Sequence, residues 1–129
     1  MHSHSPRAVV HELSIANNIL DIIRQHVPVD QFSLVKSIRL KIGDQAGVVV
    51  DSLEFSFSAL TAESPLRGAR LEVERIPFVV SCRQCGESAP SESGIVACPR
   101  CGSVETTIVS GTELRVTEIE LLEPEPEGA

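Results

Sequence analysis

Cys82-Arg-Gln-Cys85 and Cys98-Pro-Arg-Cys101 hold the only four cysteines of this 129-residue chain, with the twelve residues Gly86 to Ala97 between the pairs. Two residues between paired cysteines let both thiolates turn onto one ion, and the spacer is long enough to bring the second pair to the other two corners of a tetrahedron. Gly86 and Gly102 each follow the second cysteine of a pair, where a tight knuckle takes a residue that tolerates positive φ. The residues therefore point to one zinc held by Cys82, Cys85, Cys98 and Cys101. Two disulfides or a redox Cys-x-x-Cys fit less well: the first residues contain no apolar signal segment, and a redox motif needs no second copy. Four thiolates leave no open position for water or substrate, so this metal is expected to hold structure rather than to catalyse.

The other candidate ligand is His11, beside Glu12 at the start of a helical pattern, where a loose segment could offer backbone nitrogen together with imidazole. On spacing alone His11 reads as an ordinary exposed histidine. His26 ends the same helical pattern, where an imidazolium complements the helix dipole. An enzyme is not expected, since there is no nucleophile with a paired base and no Gly-rich loop to cradle phosphate. Nucleic acid is not expected either. The formal charge is −7, Trp and Tyr are absent, and Arg83 and Arg100 near the cysteines are balanced by Glu87 and Glu92, to which four thiolates on Zn²⁺ add two further negative charges. No apolar run approaches the roughly 20 residues of a membrane span. Cysteines reserved for metal suit a reducing compartment, so the cytoplasm is the expected location.

Elements that could position these groups follow from periodicity. Leu13, Ala16, Leu20, Ile23 and Val27, widened by Ile15, Ile19 and Ile22, form one face of a helix over Glu12–His26, which Pro28 ends. Ile38, Leu40 and Ile42 alternate with Ser37, Arg39 and Lys41, a strand with one wet face. Asp51 with Glu54 forms a capping-box pattern ahead of a second helix burying Leu53, Phe57 and Leu60. Strands follow at Arg70–Arg75 and Leu114–Leu122. The second slips phase, and a bulge near Thr117-Glu118 would turn both Val116 and Ile119 inward. The expected fold is α+β, two helices on a three-stranded sheet with an inserted four-cysteine zinc-ribbon lobe.

His11-Glu12-Leu13-Ser14-Ile15-Ala16, then Lys41-Ile42-Gly43-Asp44, then the two Cys-x-x-Cys pairs, together resemble the HypA/HybF family of hydrogenase-maturation metallochaperones over about residues 10–122. That resemblance implies a small nickel carrier with a structural zinc. It would work with a maturation GTPase of the HypB type and deliver Ni(II) to the hydrogenase large subunit. It also implies that nickel is bound by the histidine after the initiator methionine, with N-terminal backbone nitrogens and with the adjacent glutamate. Those roles fall on His11 and, more weakly, on Glu12. Imidazole and backbone nitrogen suit square-planar Ni(II), whereas four thiolates suit zinc, so one chain could sort two ions by ligand type.

Ten residues precede His11 here. They are read either as a flexible extension, in which His2 and His4 could add ligands, or as a mis-assigned start, with Val10 the true first residue. The expected organisation is residues 1–10 as that extension, 11–79 with 112–122 as a nickel-binding α+β body, 80–111 as the zinc ribbon, and 123–129 as a disordered acidic tail. A homodimer stays open. The competing function is a zinc-ribbon protein-interaction module with no second metal, which would be indifferent to His11→Ala.

Overall fold

The computed structural model describes the backbone of residues 6–91 and 95–123, and the side chains of 11–91 and 95–123. Helix α1 spans Pro6–His26. It buries Ile15, Ala16, Ile19, Leu20 and Ile23, with Val27 just beyond its end, the stripe that the 3.6-residue period requires. Its start differs from the expectation, because Pro6–Val10 are helical rather than a loose lead-in. Pro6 takes the first helical position, where a missing N–H costs nothing. Residues 1–5 and 124–129 lie outside the described residues, and with them His2, His4 and most of the acidic tail.

A 3₁₀ turn at Val29–Leu34 leads into β1, Val35–Gly43, whose Ile38, Leu40 and Ile42 are buried. Helix α2 covers Val50–Thr61 and packs against α1. Its cap is not Asp51 but Val49, held in extended conformation, so Asp51 falls in the first turn. Its buried residues are Leu53, Ser56, Phe57 and Thr61. Leu60, expected inside, is 37% exposed, and Thr61 takes the buried place by donating its hydroxyl to the Phe57 carbonyl at 2.9 Å.

After a 3₁₀ turn at Pro65–Gly68 come β2 (Arg70–Ile76), β3 (Val79–Cys82), β4 (Ser88–Pro90), β5 (Thr106–Ser110) and β6 (Leu114–Leu121). They form two three-stranded sheets, ordered β2-β1-β6 and β4-β3-β5. Arg39 on β1 reaches Glu72 of β2 at 3.2 Å and Glu118 of β6 at 3.4 Å, while Ser37 donates to Glu120 at 3.1 Å. Glu118 and Glu120 thus share the face of Ser37 and Arg39. Val116 and Ile119, expected in the core, are both only half-buried, because β6 is an edge strand with a neighbour on one side alone.

Two compact units are present. The first combines Met1–Leu40, Val48–Glu72 and Val116–Ala129, and the second Lys41–Gly47 with Val73–Arg115. The core of the first is α1, α2 and the inward residues of β1; that of the second is Ile42, Phe78, Val80, Cys82 and Cys98. The cysteine-bearing unit therefore takes in more chain than an 80–111 insertion would. Lys41–Gly47 is bound into it by backbone bonds from Gly43 to Glu113, Asp44 to Ile76 and Gln45 to Gly111, each 2.8–2.9 Å.

Candidate metal centre

Both cysteine knuckles are built the same way. In each, the first cysteine accepts at its carbonyl from the glycine four residues on, Gly86 to Cys82 at 3.0 Å and Gly102 to Cys98 at 2.8 Å. Its own N–H donates to the carbonyl five residues on, Cys82 to Glu87 at 2.9 Å and Cys98 to Ser103 at 2.8 Å. Gly86 and Gly102 stand at φ +74° and +79°, so glycine closes each turn where a Cβ would be strained. Strand β3 delivers Cys82, and its pairing of Cys82 with Thr106 on β5 carries the chain back past the second knuckle.

These two turns bring all four sulfurs within 4.8 Å of one another. Across the knuckles, Cys82 Sγ lies 3.6 Å from Cys101 Sγ and Cys85 Sγ 3.7 Å from Cys98 Sγ. A tetrahedron with Zn–S of about 2.3 Å has edges of about 3.8 Å, so the cluster has the dimensions of a zinc site. A disulfide needs about 2.05 Å and is not present.

Electrostatics point the same way. Cys82 and Cys98 are buried, which by itself would raise their pKa, yet backbone N–H groups win. Cys98 is lowered to about 6, chiefly by the amides of Cys101 and Arg100; Cys82 is lowered first by the amide of Cys85. The other two thiols, exposed at the surface, shift upward. Cys101 receives a lowering bond from the Ser103 amide, but Cys82, burial and the remaining thiols outweigh it and push it up to about 12. Cys85 is likewise raised, with burial, Cys98 and Cys82 overriding the Glu87 amide. Four sulfurs this close cannot all be anionic on their own. A bound cation is what would let all four ionise, which is the behaviour of a thiolate metal site.

His11 and Glu12 lie elsewhere, on α1. The His11 side chain is 52% exposed. In an α-helix that begins at Pro6, its amide falls where the ladder pairs it with the carbonyl of residue 7, so the backbone nitrogen expected to be free is engaged. Glu12 is 0% exposed. One carboxylate oxygen, Oε2, accepts the Val49 N–H at 2.8 Å and lies 3.9 Å from His11 Nδ1, while Oε1 has no hydrogen-bond partner. The sequence signalled the histidine but not the burial of its neighbour, because Glu12 falls on the apolar stripe shared by Ile15, Ala16 and Ile19, and carboxylates there are rare. Among the described residues the four cysteines are the one cluster of three or more metal-binding side chains.

Comparison with known proteins gives this geometry a family. The sequence model described as "Hydrogenase/urease nickel incorporation, metallochaperone, hypA" matches residues 10–121. The chain is 40% identical over 113 residues to the hydrogenase maturation factor HypA of Syntrophus aciditrophicus (strain SB), covering 87% of this chain and 99% of that one. It is 39% identical over 112 residues to HypA of Azotobacter chroococcum mcd 1, with the same coverage. Two solved structures share the fold. A solution structure of a HypA protein has TM-score 0.62 at 21% identity, covering 88% of this chain and 97% of that one. The nickel metallochaperone HypA from Helicobacter pylori has TM-score 0.58 at 19% identity, covering 88% and 98%. Members of such a family carry metal and are not catalysts, and this chain belongs to it: it is a HypA-family nickel-incorporation metallochaperone.

Proposed function

We propose that the chain binds Ni(II) through His11 and delivers it, in the cytoplasm and together with a GTPase of the HypB type, to the large subunit of a nickel–iron hydrogenase. In this reading Cys82, Cys85, Cys98 and Cys101 hold a structural zinc in a ribbon centred on residues 80–111. The unit that contains α1 and α2 carries the nickel. The supporting observation is that the family match opens at residue 10, so that an exposed imidazole stands at the start of the matched region. A carrier must release its ion, and few ligands on an accessible helix start favour release over retention.

The helical backbone adds a condition. With α1 running from Pro6, the His11 amide is committed to the helix. A chain that starts with methionine in place of Val10 frees that amide and places an α-amine beside it. Such a chain should bind nickel at least as tightly as the full chain. In cells, His11→Ala should abolish hydrogenase activity that depends on this protein. Undiminished hydrogenase activity in cells carrying His11→Ala would overturn the delivery reading.

A further inference from the structure

Glu12 is the only buried side chain with an unpartnered polar atom among the described residues. An ionised carboxylate fully removed from water is costly unless something near it is positive. Here the positive feature is the N-terminus of α2. Val49, the residue that precedes this helix, has extended backbone (φ −88°, ψ 108°) and makes no side-chain cap, since valine has no oxygen to offer the unpaired first-turn N–H groups. The carboxylate arrives from α1 and takes the Val49 N–H at 2.8 Å, setting a negative charge at the positive end of the α2 dipole.

We infer that Glu12 is the cap of α2, supplied by another helix, and that it acts in nickel binding as a positioning residue and not as a ligand. The inference rests on the reading of His11 as the nickel ligand. A carboxylate that ligates an ion must turn a lone pair toward it. Oε2 is engaged by the Val49 amide and Oε1 is enclosed, with the whole side chain 0% exposed. For Glu12 to ligate, it would have to leave Val49 and uncap α2. Held where it is, it pegs the turn of α1 that bears His11 to the start of α2, and so fixes the direction in which the imidazole is presented.

Conservative and drastic variants separate the two roles. Glu12→Gln keeps a carbonyl oxygen for the Val49 amide but offers only a poor ligand. Glu12→Ala keeps neither. The expected result is that Glu12→Gln binds Ni(II) within about threefold of wild type and leaves the Val49 amide protected from hydrogen exchange. Glu12→Ala should lose that protection relative to neighbouring amides and weaken Ni(II) by about tenfold, while circular dichroism stays native. Should Glu12→Ala fail to fold, Glu12→Gln still decides: loss of nickel with Val49 protection intact makes Glu12 a ligand and overturns the inference. Loss of Val49 protection in Glu12→Ala with unchanged nickel affinity overturns the positioning role. His11→Ala is measured alongside. If it retains nickel, the nickel site itself is misplaced, and Val49 protection in the Glu12 variants still reports whether the cap exists.

Discussion

Among single residues, the four cysteines were the most legible in the sequence, because a double Cys-x-x-Cys leaves little geometric freedom and the glycine after each pair is dictated by positive φ. Which sulfurs are buried was not legible, since it depends on which cysteine closes the strand and which points outward. That difference has a measurable effect. Cys85 and Cys101 are held above the ordinary thiol value and so keep their protons at about pH 7 in the metal-free protein, whereas Cys98, at about 6, has lost its own. Metal must displace the retained protons, so affinity for zinc rises with pH and is lost as pH falls. Calorimetric titration with zinc in two buffers of different ionisation enthalpy should show protons released on binding near pH 7, because the raised thiols of the cluster must ionise to hold the ion. A proton count of zero would contradict this description of the cluster. The burial of Glu12 was not legible for the opposite reason: its hydrogen-bond partner is Val49, thirty-seven residues away, and no local pattern announces a partner at that distance.

Whole elements were recovered where periodicity was strong, in α1, β1 and α2, and lost where neighbours decide. The start of α1 at Pro6 was missed because its first turns carry no apolar period. The exposure of Leu60 and the half-burial of Val116 and Ile119 follow from partners and edges that the strand pattern does not encode. The least legible feature is the place of Lys41–Gly47 in the cysteine-bearing unit. Gly43 ends β1 against the turn at Gly111, so tightly that a Cβ on Gly43 would overlap the Gly111 carbonyl group and stand 2.5 Å from the Thr112 nitrogen. These are backbone atoms and cannot rotate away. Gly111, at φ +111°, is itself pressed on Phe78, whose Cβ would lie 2.9 Å from an added Cβ. Gly43→Ala is therefore expected to destabilise by about 3 kcal/mol or more, read by denaturant unfolding. Gly68→Ala, with nothing within 4 Å of its Cβ, should change stability by less than about 0.5 kcal/mol. Equal effects at the two glycines would show that the crossing does not constrain the fold.

The molecule as a whole is small and acidic, at 129 residues and net −7, and no helix among the described residues is long and apolar enough to cross a membrane. Its fold class followed from element order, and its family from three motifs whose combination is specific though each is short. What lay beyond the sequence was the condition of the two proposed metal positions, one a cluster of four sulfurs within 4.8 Å of one another and the other a single exposed imidazole on a helix. That contrast is the core of the account: thiolates retain one ion for structure, while a sparse nitrogen site binds another for transfer. The most direct test is to dialyse wild type and His11→Ala to equilibrium against nickel and zinc together and count both metals per chain. The account predicts about one zinc in each protein, and about one nickel in wild type but none in His11→Ala. Nickel retained by His11→Ala, or zinc lost along with the nickel, would contradict it.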